Sequence, residues 1–351
     1  MTVEHMDNFS LYGVGGQAYL LDGVYAQIGS FSSTLLVEDP DPNVSGPVVR
    51  IQQGSGWTSV LRLVLSAPQA TVGIATRFWM SYLPADSGDA PHIFSWRDGS
   101  NNEQAYVTVD TTGQLIAYIG GVAVGNSGGP VLTANGWWHI EAKLVLAGAL
   151  STIEVRVEGI TKVTGTGTTA ADCAQVAMVN GGGGSGQDFF CYWKDFIVWN
   201  GLGALNNDFM GSCSVYSIIP DSDVAATWAR NVGADNFGNI NEDGPPDDDT
   251  AYIYAVTPAP AANVMGLSNL PVDVTSVRAL MAIQRSKKTD GGDGNVQAGL
   301  ISGASTALGA DRPITTAYTY FRDVIETDPA TAAQWTPGAV NAAQLQLNRT
   351  L

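Results

Sequence analysis

Few residues in this chain have the type and spacing to do chemistry. Glu154 and Glu158 form the one alternating acidic pair on a strongly patterned strand. Hydrolysis of a glycosidic bond needs two carboxylates about 5 to 9 Å apart across it, and carboxylates four residues apart on a strand share a face. Arg156 stands between these two on the same outward face, which reads as a solvated, self-neutralised surface and not as an acid–base pair. His5, His92 and His139 are distant from one another and lack a companion Ser, Cys or metal-ligand spacing. No triad follows, and no catalytic residue is assigned. His139 falls on the polar face of its strand, where a cross-strand hydrogen bond accounts for it. The glycine tracts at 181–184 and 291–294 follow no strand-to-helix pattern, so they do not read as phosphate loops.

Two binding chemistries remain. Asn239-Ile-Asn-Glu-Asp-Gly has the opening spacing of a calcium loop, but its twelfth position is Thr250 and not Glu. An irregular calcium site would draw on Asp243, Asp247 and Asp249, with a solvated loop as the plainer reading. Saccharide binding would use an aromatic platform beside polar groups, and Trp57, Trp96, Trp137 and Tyr192 are the candidates. Aromatic residues in a β-sandwich are more often core. Cys173, Cys191 and Cys213 are an odd set without CxxC spacing, which signals neither a disulfide framework nor zinc.

The elements that must position these residues are strands. Forty-one Gly and 16 Pro in 351 residues, with 14% charged residues, describe an all-β chain with tight turns, long enough for two domains. Sixteen Lys+Arg against 33 Asp+Glu leave a formal net charge of -17, which repels phosphate backbones and anionic lipid alike. Nucleic acid and membrane insertion are therefore poor fits. No basic segment followed by an apolar run opens the chain, so a soluble protein made in a cytoplasm is expected.

About eleven strand candidates precede residue 220. Gly73 to Leu83 reads as a central strand covered on both sides, and Gln104 to Val109 with Gln114 to Ile119 reads as a hairpin around Asp-Thr-Thr-Gly. Trp138 to Val145 and Thr152 to Gly159 alternate apolar inward and polar outward, the pattern of solvent-facing strands. In the aromatic stretch from Gln187 to Pro220, alternation places Phe190, Tyr192, Lys194, Phe196 and Val198 on one face. Cys191, Trp193, Asp195, Ile197 and Trp199 fall on the other, again a doubly covered strand.

The expected domains are a β-sandwich over 1–220, a linker or exposed loop over 221–250 and a smaller β-module over 251–351. In that module Lys287 to Gly294 reads as a hairpin tip. Thr336 and Pro337 start a short C-terminal helix that docks Val340 and Leu345 or Leu347 on the sheet.

Arg77-Phe-Trp-Met, Ile93-Phe-Ser-Trp, Gly113-Gln-Leu, Gly136-Trp-Trp-His-Ile-Glu, Ile153-Glu-Val-Arg-Val-Glu-Gly and Asp195-Phe-Ile-Val-Trp occur in that order. The order resembles the concanavalin A-like lectin and glucanase superfamily in its laminin-G-like jelly-roll form. With Asn207-Asp-Phe-Met-Gly, Pro245-Pro-Asp-Asp-Asp-Thr and the ending from Thr327 to Ala342, the chain resembles tailed-bacteriophage virion proteins in which such a jelly roll precedes a smaller module.

The resemblance implies a non-enzymatic, surface-exposed structural protein, as tail-associated adhesion or capsid decoration. It also implies assembly in the host bacterial cytoplasm, contact with other virion proteins, and a homo-oligomer. A carbohydrate-binding module for host surface glycan is the alternative, and a polysaccharide depolymerase the next. The glucanase motif of three spaced acids on one strand is absent.

Overall fold

The computed structural model of the chain describes residues 3–350 apart from 13–16, 22–23, 29–33, 39–46, 53–58, 86–89, 181–189, 243 and 257–260. Trp57, Asp243, the turn cluster at 39–43 and the glycine run at 181–184 lie outside the described residues. The chain forms two compact units, Met1–Val215 and Tyr216–Leu351.

The strands of the first unit are β1 (Val3–Asp7), β2 (Tyr25–Ile28), β3 (Thr34–Glu38), β4 (Pro47–Gln52), β5 (Ser59–Gln69), β6 (Thr71–Met80), β7 (His92–Arg97) and β8 (Glu103–Val109). They continue as β9 (Leu115–Ile119), β10 (Val122–Asn126), β11 (Trp138–Val145), β12 (Ser151–Val157), β13 (Ile160–Gly167), β14 (Cys173–Asn180) and β15 (Phe190–Asn200), with one short helix α1 (Gln17–Leu20). One sheet runs β13-β12-β11-β6-β15-β4-β3 with β1 also on β15, and the other runs β10-β9-β8-β7-β14-β5-β2. This is the jelly-roll β-sandwich that the motif order implies.

Both sheets bury alternate residues against each other: Val72, Ile74, Phe78 and Met80 of β6 face Leu61, Leu63, Trp96 and Met178 of the opposite sheet. Two indoles tie the sheets across this core. Trp193 Nε1 donates to the Ile93 carbonyl at 3.2 Å, and Trp96 Nε1 donates to the Val72 carbonyl at 3.3 Å. Each hydrogen bond satisfies a polar atom that burial would otherwise penalise.

The simple alternation expected along β15 does not hold. Lys194 is opposite Arg77 and Ile197 opposite Ala75, so Asp195 and Phe196 together face Thr76 in a β-bulge. Asp195 takes φ 53 there. Before the bulge Cys191 and Trp193 point into the core; after it Phe196 and Val198 do, and Trp199 emerges on the outer face above Gly73. A Cβ on Gly73 would lie 1.9 Å from Trp199 Cε2.

The polar face of β11 and β12 is also not solvent-facing. Residues 208–215 run over it: Met210 N and Gly211 N donate to Glu141 Oε1 at 2.8 and 3.1 Å, Lys143 Nζ donates to Asp208, and Val215 N donates to Asp195. Phe209 lies under the Arg156 guanidinium, 3.8 Å from ring centroid to Cζ. Glu141 is consequently fully buried.

The second unit contains β16 (Pro220–Ala225), β17 (Ala229–Arg230), β18 (Ile253–Tyr254), β19 (Asn263–Leu267), β20 (Leu280–Ser286), β21 (Asn295–Ser302), β22 (Ser305–Leu308), β23 (Arg312–Pro313), β24 (Thr319–Ile325), α2 (Pro337–Asn341) and β25 (Gln344–Arg349). Its main sheet runs β16-β19-β25-β21-β22, with β23 on β21, while β20 pairs with β24 and β17 with β18. The segment 221–250 is not a linker. It supplies β16, the buried Trp228, and Asn236, whose Nδ2 donates to the Trp228 carbonyl and to Asn263 Oδ1 at 3.0 and 2.9 Å.

Lys287 to Gly294 is not a hairpin tip either, because β20 and β21 lie in different sheets. Thr336 caps α2 by accepting from Ala339 N at 3.2 Å, with Pro337 in the first turn. The helix stops at Asn341, and the alternating Gln344-Leu-Gln-Leu enters the sheet as β25 between β19 and β21, burying Leu347.

Gly73→Ala is expected to lower stability by about 1–3 kcal/mol through overpacking against Trp199. Gly99→Ala, whose Cβ meets nothing within 4 Å, is expected to leave it unchanged. Urea denaturation of the two variants checks this.

Candidate functional site

The residues proposed from sequence are not brought together. Trp96 is fully buried and spends its indole on the inter-sheet bond, so it offers no surface platform. Tyr192 stands on the outer face of the eight-stranded sheet, edge-on to Trp79 at 4.8 Å, and Trp137 is half-buried just before β11. Of the acidic residues 247–249, Asp248 holds Arg285 through two hydrogen bonds of 2.7 and 3.1 Å, and Asp249 contacts Lys287 and Tyr318. These carboxylates are committed to cations of the unit itself, and Asp247 is exposed. Among the described residues no group of three or more His, Cys, Asp or Glu is arranged to hold a metal ion.

Glu154 and Glu158 are similarly occupied. Glu154 Oε1 accepts from Arg156 Nε and Thr161 Oγ1, both at 2.8 Å, and Glu158 Oε1 accepts from His139 N at 2.8 Å. His139 makes no cross-strand side-chain bond. Both ring nitrogens are buried without a hydrogen-bond partner, and burial, reinforced by the Arg77 charge and opposed by Glu158, pushes its pKa down to about 4. It is a neutral core residue at physiological pH.

A different constellation occupies the outer face of the seven-stranded sheet. The Asp110–Gly113 turn sets β8 against β9 so that Tyr106 is opposite Tyr118, and their rings stack at 4.4 Å. His92, brought alongside by an irregularity between His92 and Phe94, stacks on Tyr106 at 3.9 Å and 11°. The result is a three-ring ladder across three neighbouring strands.

A polar network continues from it. His92 Nδ1 lies 3.0 Å from Glu103 Oε1, which also accepts from Ser95 Oγ at 2.6 Å and Arg97 Nη2 at 3.1 Å. Beyond them Gln175 is opposite Arg97, and its Oε1 accepts from Arg62 Nη1 at 2.9 Å. In register, Tyr118, Tyr106, Ser95, Ala177 and Arg62 form one row over five strands.

The electrostatics fix the protonation of this face. Burial, then the neighbouring Tyr118 and Glu103, push the Tyr106 phenol up to about 12, so it remains a hydrogen-bond donor at physiological pH. Burial works to raise Glu103, but the His92 hydrogen bond and charge, the Ser95 hydroxyl and Arg97 outweigh it and hold the carboxyl below its ordinary value. Such a surface can stack on the apolar face of a ring and exchange hydrogen bonds with hydroxyl groups.

The Tyr106–Tyr118 pairing was readable from the hairpin register. The irregularity that brings in His92, and the approach of β14 and β5 carrying Gln175 and Arg62, have no local signature.

No family model and no curated protein matches the chain. Among solved structures it is similar to a sialidase (TM-score 0.44, 11% identity, 56% of this chain and 18% of that one). It is also similar to the alginate lyase AlgAT5 of Polysaccharide Lyase family 7 (TM-score 0.37, 13%, 50% and 85%) and to the exoplasmic/lumenal domain of VIP36 in a Ca2+/Man3GlcNAc-bound form (TM-score 0.37, 9%, 52% and 85%). The chain thus spans only 18% of the sialidase's length. The expectation that this is not an enzyme is corrected by the comparison: a sialidase and an alginate lyase are among the proteins that share this fold. Among the described residues no helix is long and apolar enough to cross a membrane.

The depressed Glu103 pKa gives a pH test. Its stabilisation is fully present above the ordinary value of 4.5 and is lost as pH falls through the lower folded-state value. Wild type is expected to be more stable than Glu103→Gln at neutral pH, with the gap closing under acid, as read from denaturation midpoints across that range.

Proposed function

We propose that the first unit is a saccharide-recognition domain whose site is the outer face of the seven-stranded sheet, displayed on the surface of a tailed-phage virion. The observation that carries the reading is the His92–Tyr106–Tyr118 ladder. Three aromatic rings invested on the outward side of a sheet contribute nothing to the core between the sheets, and they stand beside donors and acceptors suited to sugar hydroxyls. Ala123, opposite Tyr118 on β10, is small and exposed, so that partner leaves the outer ring uncovered. The virion setting, with other virion proteins and further copies of the chain as partners, is supported by the order of sequence motifs alone. Detection of the chain in purified particles tests that part.

Turnover belongs to the same test, because a carboxylate–imidazole pair, Glu103–His92, stands beside the stacked ring of Tyr106 and is a group that can exchange a proton. Tyr118→Ala is expected to weaken saccharide binding roughly two- to tenfold, the equivalent of about 0.5–1.5 kcal/mol for one aromatic contact. Tyr192→Ala, on the opposite sheet, is expected to leave it unchanged. Glycan-array binding followed by calorimetry on the hits measures both, and product analysis of the same mixtures reports any cleavage. Binding that survives loss of Tyr118 and falls with Tyr192 would move the site to the other sheet.

A further inference from the structure

We infer that the saccharide taken by this face is an acidic one, carrying carboxylate groups, with Arg62 as the residue that selects it; the inference rests on the saccharide-binding reading above. Acidic residues outnumber basic ones 33 to 16 in this chain, so an arginine side chain readily finds a carboxylate. Arg77, Arg97, Arg156, Arg285 and Arg312 do so, with Asp195, Glu103, Glu154, Asp248 and Asp323 respectively. Arg62 does not. Among the described residues its Nη1 donates to the neutral amide oxygen of Gln175, and its Nε is buried without a hydrogen-bond partner. A guanidinium has five N–H donors in a fork that fits a carboxylate through two parallel bonds, and the Nη2 of Arg62 donates to none of the described residues.

Position supports the same conclusion. Arg62 shares the row of Tyr118 and Tyr106, which runs on to Ala26 of β2, with the small and fully buried Ser95 and Ala177 between. Tyr106 and Arg62 are three strand spacings apart, about 14 Å. That separation suits an oligosaccharide laid across the strands, stacked at one end and gripped at the other.

The outward groups of this row and its network comprise two arginines, Arg62 and Arg97, against one carboxylate, Glu103, which is already shared among His92, Ser95 and Arg97. The chain's net charge of -17 opposes an anionic ligand only at long range. At physiological ionic strength charges more than about 8 Å away are largely screened, so the arginine in contact decides.

The experiment uses the intact chain and a panel of oligouronates and oligosialates, each with its carboxyl-reduced neutral counterpart, in calorimetric titrations at low and physiological salt. Expected is binding of at least one acidic probe, at least tenfold weaker binding of its reduced form, and weakening with salt. Arg62→Gln is expected to remove the preference, and Arg62→Lys to restore part of it; unchanged thermal unfolding of both variants shows that they fold. Equal affinity for acidic and reduced probes, still sensitive to Tyr118→Ala, overturns the acidic inference and leaves the saccharide face standing. A preference that persists in Arg62→Gln removes Arg62 from its role. Absence of binding across acidic, reduced and neutral glycans overturns both.

Discussion

The bulge at Asp195 is the constraint on which the first unit depends. Two residues opposite one on the neighbouring strand reverse the facing of β15 halfway along its length. Without that reversal the strand would present Trp193 and Trp199 to the same side; with it, Trp193 reaches across the core to β7 while Trp199 fills the outer surface at Gly73. The left-handed backbone at Asp195 is held from several directions: Thr76 Oγ1 donates to the Lys194 carbonyl at 2.8 Å, Val215 N donates to the Asp195 carboxylate, and Arg77 lies 3.4 Å from it. Burial raises the Asp195 pKa, opposed by the Val215 hydrogen bond and the charges of Arg77 and Lys194. The strap over residues 208–215 is therefore anchored on the irregularity itself.

Sequence patterning read the strands of this chain well and their surroundings less well. Period-two alternation located β6, β8, β9, β11 and β12, and the hairpin turn implied the Tyr106–Tyr118 pair. Alternation says which residues share a face, not what covers it. Glu141 looked solvent-facing because the segment that buries it lies some 70 residues further along and carries no periodic signal. The same blindness affected 221–250, where polar residues suggested a linker although Asn236 and Asn239 are buried by hydrogen bonds to backbone carbonyls. Of the candidate site, the His92–Glu103 contact was hidden for a related reason: one irregular residue in β7 decides where His92 points.

Jelly-roll sandwiches host both binding and catalytic sites, so the fold does not choose between them. What distinguishes the two outer faces of this sandwich is how each is covered. The eight-stranded sheet is partly sealed by the chain's own strap, with its charged groups neutralised beneath. The seven-stranded sheet keeps Tyr106, Tyr118 and Arg62 half-buried on its outer face, with the buried Gln175 and Ser95 bonded among them.

The row from Tyr118 to Arg62 has one more property. Because successive side chains of a strand point to opposite sides, Tyr118, Tyr106 and Arg62 alternate along their strands with residues that pack the sandwich, while Ala177 of the same row is itself buried with Val60 and Val179. Ligand preference and foldedness are thus written in separate letters of the same strands. If the proposed saccharide reading holds, Arg62, Gln175 or Tyr118 could be exchanged to change the ligand while Leu61, Val176 and Ala117 continued to hold the sheets together, so that recognition could drift on a scaffold that does not.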